Sequence, residues 1–322
     1  MKQLGKDILV SVVMGVLLPA LILNYGAKVR RQTLQEVVIQ ETVNKVSMPV
    51  KIRYEDDNIS EQEMDDYLIG VVLAEMPASF EPEALKAQSV VARTYARKAY
   101  ITGGKHGDGS VCRESSCCQG YCPEKLYLSQ GGTKEDVEKI RSVVLATSGQ
   151  ILTYDGEPIE ATYFSCSGGS TEDALAVWGK DYPYLQAVSS PGEENAAHYQ
   201  DTEFFSGAQL EEALGITLPG NPQSWIHSIS YTRGGGVDSV SVGGTFFTGL
   251  ELRQRLGLRS TAFSVKAEGE GLSITTRGYG HRVGMSQYGA DAMAVSGKNY
   301  EEILQYYYPG TELMQLETAD TF

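Results

Sequence analysis

The sequence predicts an α+β fold in which helices surround mixed or antiparallel β-structure, with a smaller inserted subdomain and one N-terminal transmembrane helix. Helical periodicity dominates residues 60–100, alternating β-branched stretches dominate 149–276, and helical segments return after residue 287. Helices followed by strands and again by helices are typical of α+β domains. The 42% hydrophobic content permits a packed core. The net charge of −14 disfavours nucleic-acid binding, which needs a basic face.

Residues 1–31 predict a single-pass membrane anchor, and the basic residues on both sides of its apolar stretch leave its orientation open. The stretch from Ile8 to Tyr25 contains no charged residue, and about 18 apolar residues is near the minimum for a helix that crosses a bilayer. A cleaved signal peptide and a buried soluble helix are the alternatives. Residues 32–59 are predicted as a stalk and an entering strand. Residues 60–322 are predicted as the catalytic domain, with a possible inserted subdomain at about 198–262.

Two helices are predicted at the start of this domain. Ser60 and Glu63 form a capping-box pattern, and the apolar stripe at Met64, Leu68, Val71 and Val72 continues as a helix. Pro77 ends it. A second helix is predicted from Glu83 to Tyr100.

The later elements follow from alternation and from capping residues. Four stretches predict strands by their β-branched, alternating pattern: Gly149 to Tyr154, Ile159 to Phe164, Val237 to Phe247 and Phe263 to Thr276. A short helix is predicted from Gln287 to Val295, closed by Gly297. A last helix is capped by Asn299 and ended by Pro309.

Glu75 is the candidate catalytic residue. It shares a helix face with Leu68, Val71 and Val72, so it lies on the apolar stripe in the last turn, where the negative end of the helix dipole disfavours an anion. Burial acts in the same direction and raises the pKa of a carboxyl group. Such an acid suits proton donation to a glycosidic oxygen. In the alternative reading Glu75 turns outward at a frayed helix end.

Two basic residues on the second helix are candidate substrate ligands. Lys86 and Arg93 are seven residues apart and share a helix face. They could hold a substrate carboxylate, such as that of muramic acid, or a developing oxyanion. An ordinary solvated basic face is the alternative.

A cysteine-rich loop follows the second helix. His106, Cys112 and Cys118 have the spacing H-x5-C-x5-C, with Cys117 and Cys122 beside them. A structural zinc ion would use four of these groups and a catalytic one three. One or two disulfides are the alternative in an extracytoplasmic domain, although vicinal cysteines bridge poorly.

The helical motifs resemble the stage II sporulation protein D family. The resemblance is carried by YLIGVVLAEMP at 67–77, by EALKAQSVVARTY at 83–95 and by RGYGHRVGMSQYGA at 277–290, and extends with gaps over 50–310. It implies a membrane-anchored lytic transglycosylase that cleaves denuded glycan strands of peptidoglycan during engulfment in sporulation. It also implies two partners, an amidase/endopeptidase and a multispanning membrane protein, and a location between the forespore and mother-cell membranes.

The resemblance also implies site residues. It makes Glu75 the catalytic acid, a role that needs no second carboxylate because the sugar's own 6-hydroxyl attacks instead of water. It places Lys86 and Arg93 in the groove and zinc on a His and two Cys, the second followed by Gln-x-Tyr, as at Cys118. The segment FSCSGG at 164–169 resembles the family's groove wall. It adds Ser165 and Ser167 to the substrate contacts and leaves Cys166 as an unpaired thiol.

The glycine-rich segment at 277–290 completes the predicted groove. His281, Ser286, Gln287 and Tyr288 are candidate sugar contacts, with Tyr279 or Tyr288 stacking on a pyranose ring. Arg282 departs from the glycine that is usual in the family. Tight internal packing is the alternative role for this segment. A Ser/His hydrolase is disfavoured because the sequence has no nucleophile elbow.

Two other functions stay open at this level. A non-catalytic, wall-binding amidase enhancer belongs to the same fold family. A zinc hydrolase would use the cysteine loop, but thiolate-rich sites are mostly structural and the sequence has no H-E-x-x-H helix.

Overall fold

A computed structural model describes residues 48–316. The predicted anchor at 1–31 and most of the predicted stalk lie outside the described residues. None of the helices between 48 and 316 has the length and apolar character needed to cross a bilayer.

Nine helices lie within the described range, and their sequence order sets the numbering used below. They are α1 (Met64–Glu75), α2 (Pro82–Thr102), α3 (Glu124–Ser129), α4 (Lys134–Ala146), α5 (Ala174–Trp178), α6 (Gly207–Leu214), α7 (Gly249–Leu256), α8 (Gln287–Val295) and α9 (Tyr300–Tyr307).

The strands of residues 48–316 form five small sheets. The strands are β1 (Pro49–Arg53), β2 (Ile59–Glu63), β3 (Ser110–Cys112), β4 (Gln150–Tyr154), β5 (Glu157–Pro158), β6 (Tyr163–Phe164), β7 (Gln200–Ser206), β8 (Ile226–Tyr231), β9 (Val237–Val242), β10 (Thr245–Thr248), β11 (Phe263–Glu268), β12 (Gly271–Arg277), β13 (Met285–Ser286) and β14 (Glu312–Gln315). The sheet orders are β2-β1-β3, β14-β4-β5, β13-β6, β11-β12-β7 and β10-β9-β8. Most pairs are antiparallel, while β1–β3 and β6–β13 are parallel. The α+β prediction is confirmed.

Helix α2 is the central element of the helical layer. It packs against α1, α4, α8, α9 and β4, and a run of its small and branched residues from Ala84 to Ala92 is buried. The predicted helix from Glu83 to Tyr100 is confirmed and is extended by Pro82 at its first position, where proline is favoured.

Helix α1 begins later than the capping-box pattern predicts. Ser60 and Glu63 lie in β2, which pairs antiparallel with β1, and the helix starts at Met64 with Glu63 as its N-cap residue. Pairing with β1 outweighs the local capping signal here. Residues 67–73 of α1 are all buried, so neighbouring elements enclose the middle of the helix.

Two stretches that were each predicted as one strand form two strands in the structure. The stretches 237–247 and 263–276 each fold into an antiparallel hairpin, β9–β10 and β11–β12. The prediction at 149–154 is confirmed by β4. In 159–164 only Tyr163 and Phe164 form a strand. The predicted helices α8 and α9 are confirmed, and Asn299 caps α9 with a capping box.

A hydrophobic cluster lies in the segment from β7 to β12. Trp225, Phe247, Phe263 and the aliphatic residues around them pack together. The inserted subdomain predicted at 198–262 leaves out β11 and β12, although β12 pairs with β7 along its whole length. That this segment is a separate domain stays a prediction.

Candidate functional site

The described residues enclose an open cleft with a volume of about 1080 Å³. Its walls come from the end of α2, the cysteine loop, β6, the residues that follow α5, and the Tyr279–His281 turn. Glu75 and Gln287 line the same cleft. Both belong to segments that the sequence singled out, and the fold brings them together across more than 200 residues of chain.

Glu75 is the last residue of α1, and its side chain is largely buried in the cleft wall. Its Oε1 accepts a hydrogen bond of 2.6 Å from the backbone N–H of Gly120. A short hydrogen bond from a fixed N–H holds the carboxyl group in one position. Glu75 therefore does not turn outward, as the alternative reading of the sequence allowed.

Close packing on α1 brings Gly120 to this position. Gly70 faces the ring of Tyr121, and a Cβ on residue 70 would lie 2.3 Å from that ring. The carbonyl of Gly70 accepts from the N–H of Cys122, and Tyr121 stacks on Tyr67 at 5.7 Å. A glycine on α1 thus lets the cysteine loop lie against the helix one turn before Glu75.

A row of buried polar groups supports Glu75 from behind. The Tyr67 hydroxyl donates to Gln119 Oε1 at 3.2 Å, and Gln119 Nε2 donates to the Tyr163 hydroxyl oxygen at 3.2 Å. Tyr163 then directs its own hydrogen to Glu75. Burial and the neighbouring Glu75 raise the pKa of Tyr163 well above its usual value, so Tyr163 stays a donor.

The pKa of Glu75 is raised above its ordinary value of 4.5. Burial is the largest cause, and the hydrogen bond from Gly120 and the nearby donor groups of Gln287 and Tyr163 act against it. Burial favours the neutral acid, and the donors stabilise the carboxylate that remains after a proton is given away. This environment suits a group that donates a proton and later accepts one.

The contact between Gly120 and Glu75 predicts a specific destabilisation. A Cβ at position 120 would lie 2.9 Å from Glu75 Oε1 and 3.4 Å from the Cβ of Ala74. We expect Gly120→Ala to lower the free energy of unfolding by about 1–3 kcal/mol, measured by urea denaturation. In a Glu75→Ala background the loss should shrink, because the clashing oxygen is gone. An equal loss in both backgrounds would contradict this contact.

His281 lines the cleft as a neutral imidazole. Burial, Arg253 and Lys105 lower the pKa of His281 to about 4. Its Nδ1 accepts from the N–H of Val283 at 3.1 Å, and the ring contacts Phe164 and Trp178. With Nδ1 held by the backbone, His281 forms part of the cleft wall.

Gln287 and Ser165 also reach the cleft. Within the described part of the chain, the buried Gln287 Nε2 makes no complete hydrogen bond, so this donor is available to Glu75 or to a bound ligand. The carbonyl of Ser165 accepts from the N–H of Tyr288 at 3.1 Å and fixes the start of α8.

Three other predicted substrate contacts do not line the cleft. The predictions for Ser167 and Ser286 are wrong for this structure because both are fully buried, while the prediction for the half-buried Tyr288 stays a prediction. Ser167 is fully buried and donates to Glu193 Oε2 at 2.8 Å. Ser286 is buried and caps α8 through the N–H of Gly289. Tyr288 packs edge-on against Phe80, with ring centroids 5.0 Å apart. Ser167 and Ser286 shape the wall without facing the cleft.

Arg282 does not crowd the cleft. It is buried with a positive φ of 66°, and it pairs with the buried Glu172 at 3.1 Å. Its guanidinium also donates to the carbonyls of Ser167, Ser170 and Gly234. Arg282 therefore ties the turn after β8 to the cleft wall.

Neither predicted basic ligand on α2 lines the cleft. Lys86 pairs with Glu83 at 2.7 Å. Arg93 has no exposed surface and donates to Asp65, to the carbonyl of Val144 and to that of Gln150. The predicted substrate contact at Arg93 is corrected, because this buried residue braces α1, α4 and β4 against α2. The contact predicted at Lys86, which is partly exposed, stays a prediction.

The cysteine loop gathers four potential metal ligands. The ligand atoms of His106, Cys112, Cys117 and Cys118 lie within 4.8 Å of one another. His106 Nε2 is 3.5 Å from Cys118 Sγ and 3.9 Å from Cys117 Sγ, and the two sulfurs are 3.9 Å apart. Ligand atoms of a tetrahedral zinc lie about 3.5–3.8 Å apart, given bonds of about 2.3 Å to sulfur and 2.0 Å to nitrogen.

The remaining cysteines stand apart from this cluster. Cys122 directs its thiol to the carbonyl of Pro123. Cys166 is a buried free thiol that donates to Glu193. The described cysteines form no disulfide, and all five are free.

Several cleft residues were missed by reasoning from the sequence. Glu160 lines the cleft and pairs with Lys98 at 3.2 Å. Trp178 and Tyr163 line it as well. Tyr163 and Glu160 lie in a stretch predicted only as a strand.

Comparison with known proteins places the chain among the stage II sporulation proteins. A family model with the description "Stage II sporulation protein" matches residues 54–154, which hold α1, α2 and the cysteine loop. The chain is 39% identical over 282 residues to stage II sporulation protein D of Bacillus subtilis and 38% identical to that of Bacillus amyloliquefaciens. Both matches cover 86% of this chain and 80% of the relative.

The chain belongs to the stage II sporulation protein D family. It is also 31% identical over 302 residues to the amidase enhancer of Bacillus subtilis, which covers 76% of this chain and 40% of that protein. The family resemblance predicted from the motifs is confirmed.

Proposed function

We propose that this chain is a lytic transglycosylase that cleaves denuded glycan strands of peptidoglycan during engulfment in sporulation. The observation that carries the proposal is the raised pKa of the Glu75 carboxyl group in an open cleft. Gly120 and Tyr163 lie beside this group, where they can donate hydrogen bonds to its anion. Membership of the sporulation family supports the cellular setting.

One carboxyl group can carry both halves of the reaction. Glu75 gives its proton to the glycosidic oxygen as the bond between that oxygen and the anomeric carbon breaks. The resulting carboxylate then takes the proton of the 6-hydroxyl of the same sugar, whose oxygen bonds to the anomeric carbon. The products are a shortened strand and a 1,6-anhydro-muramyl end. Water is not consumed, so the paired carboxylates of ordinary glycosidases are not required.

Digestion in heavy-oxygen water tests the type of reaction. Denuded strands treated with the wild-type protein should yield anhydro-muramyl ends that contain no oxygen from the solvent, as read by mass spectrometry. Reducing ends that carry the heavy oxygen would mean hydrolysis and would overturn the proposal.

A wall-binding amidase enhancer is the second candidate, and the similarity to a protein of that name favours it. It predicts that the wild-type chain releases no products by itself but stimulates a partner amidase. Stimulation that persists in Glu75→Ala would favour this function over catalysis.

We further propose that the cysteine loop binds zinc. His106, Cys112 and Cys118 were the ligands predicted from the sequence, and the distances given above add Cys117 as a fourth. Three sulfurs and one nitrogen at tetrahedral spacing fit a closed, structural zinc site. Bound there, the ion would fix Cys118, and the chain two residues further on supplies the Gly120 N–H to Glu75.

Cobalt substitution tests this ligand set without an activity assay. We expect one cobalt ion per chain, with the intense visible bands of a tetrahedral site and near-ultraviolet charge transfer from three thiolates. Cys117→Ser should reduce that charge transfer to about two thirds and weaken metal binding, since one thiolate of three is lost. Cys122→Ser is the matched control and should leave the spectrum unchanged. An unchanged spectrum in Cys117→Ser would remove Cys117 from the site.

The membrane anchor at 1–31 and the two engulfment partners remain proposals that rest on the sequence and the family. They predict that the full chain fractionates with membranes and that a chain lacking residues 1–31 does not. Recovery of the full chain in the soluble fraction would contradict the anchor.

A further inference from the structure

The cleft carries four cations that the proposed reaction leaves without a role. Lys98, Lys105, Lys180 and Arg253 all line it, and they are called the cationic rim below. The only acidic residues of the described chain that line the same cleft are Glu75 and Glu160. A cation-rich cleft in a chain of net charge −14 is a local departure from the overall charge, and it indicates a negatively charged ligand.

The rim residues differ in whether their donor groups already bind neighbouring residues. Lys98 pairs with Glu160 at 3.2 Å, and the ammonium group of Lys105 donates to the carbonyl of Cys117. Arg253 donates through Nε to the carbonyl of Leu258 at 3.3 Å.

Lys180 is the most available member of the rim. It is exposed, and among residues 48–316 no carboxylate lies within ion-pair distance of it. Lys180 and Arg253, whose bond to Leu258 uses only Nε, are therefore the rim residues with most donors left for a ligand.

Two rim cations lie near His281. Lys105 and Arg253 both act on His281, which the backbone holds through the N–H of Val283. Because His281 is part of the wall, a ligand that reaches these two cations has entered the cleft.

Exposed aromatic rings beside the rim indicate a sugar as the carrier of the charge. Trp178 is 39% exposed and Tyr279 is 44% exposed, and both line the cleft. Each ring combines an apolar face with a polar edge, which suits a pyranose ring with its own apolar face and rim of hydroxyls. Trp178 lies two residues before Lys180, so one segment presents both a ring and a cation.

We propose that the cationic rim, with Lys180 and Arg253 as its principal members, binds the free lactyl carboxylates of muramyl residues. This inference rests on the proposed function and names the chemical group of the glycan strand that the cleft recognises. Removal of a stem peptide converts an amide at the lactyl carbon into a carboxylate. A peptide-bearing strand presents a neutral amide at that atom and a bulky chain behind it.

Binding measurements in a Glu75→Gln background test the rim without cleavage of the ligand. Three ligands are compared: denuded strands, the same strands with their carboxylates converted to methylamides, and chitin oligosaccharides, which have no lactyl group. We expect the tightest binding to denuded strands, with a dependence on salt that the other two lack. Lys180→Gln should weaken binding of denuded strands by about two- to fivefold and leave binding of the methylamide strands unchanged.

Lys266→Gln is the matched control. Lys266 is an exposed lysine on β11 that does not line the cleft, so the same loss of charge there should leave all three affinities unchanged. Equal binding of carboxylate and methylamide strands would overturn the proposal. So would an equal effect of both lysine variants, or competition by inorganic phosphate as strong as that by free lactate.

The two proposals can fail separately. A carboxylate preference without anhydro products from the wild-type protein leaves the rim in place and overturns the transglycosylase. If the wild-type protein releases anhydro products but shows no preference for carboxylates, the transglycosylase proposal stands and the cationic rim is overturned.

Discussion

Replacing Glu75 with glutamine is expected to abolish the release of anhydro-muramyl ends while the protein stays folded. The glutamine Oε1 can still accept the N–H of Gly120, so the local packing is kept. The amide has no proton to give to the glycosidic oxygen. The loss of a positioned general acid corresponds to about 10²- to 10⁴-fold in rate. Quantifying the product ends over time, with a thermal melt beside it, measures both effects.

Glu160→Gln is the control for this substitution. Glu160 is the other described acidic residue of the cleft wall, and its ion pair with Lys98 is partly exposed. A partly exposed pair contributes little to stability, and the mechanism gives Glu160 no proton to transfer. Glu160→Gln should therefore keep most of the activity. Full activity in Glu75→Gln, or complete loss in Glu160→Gln alone, would move the catalytic role away from Glu75.

Arg93→Met is expected to produce the largest loss of stability. The substitution leaves Asp65 buried without its cation, and it removes the donors to the carbonyls of Val144 and Gln150. Removing one partner of a buried ion pair lowers the free energy of unfolding by about 3–5 kcal/mol. Urea denaturation measures this change directly.

Two further variants test whether the buried ion pair is the cause of the loss. In Lys86→Met the lost ion pair with Glu83 is partly exposed, so we expect a loss of only about 0–1 kcal/mol. Combining Arg93→Met with Asp65→Leu should recover part of the stability, because no charge is then left buried. A stable Arg93→Met protein that had lost substrate binding would instead restore the role that the sequence predicted for Arg93.

Local signals in the sequence were sufficient for several helices. Asn299 caps α9 and Pro82 begins α2, and both effects act within one turn of the residue concerned. The signal at Ser60 failed because β2 pairs with β1. A capping box is worth about 1 kcal/mol, and the five-residue pairing of β2 with β1 outweighs it.

The position of Glu75 could be predicted, but its partners could not. Its place on the apolar stripe of α1 is a local property, and burial raises its pKa as expected. The donor from Gly120 depends on Gly70, where the absence of a side chain admits Tyr121. Such a contact between distant segments leaves no periodic pattern in the sequence.

Polar residues within a motif were harder to assign. Arg93, Ser167 and Ser286 lie in motifs of the family, yet each is buried and binds the protein itself. Periodicity shows which face of a helix a residue occupies, but not whether that face meets solvent, a ligand or a buried Asp such as Asp65. The fourth candidate metal ligand, Cys117, was left open for the same reason, since only the fold of the loop brings it beside His106.

The pH dependence of kcat/KM on denuded strands tests the role of Glu75 most directly. Glu75 must be protonated when the substrate binds, and its folded pKa is raised above 4.5. We therefore predict that kcat/KM is highest on the acid side and keeps falling as the pH rises above that raised pKa, because less and less Glu75 is protonated. A kcat/KM that instead rose with pH and stayed high in alkali would show that the essential group acts first as a base, and would contradict the mechanism.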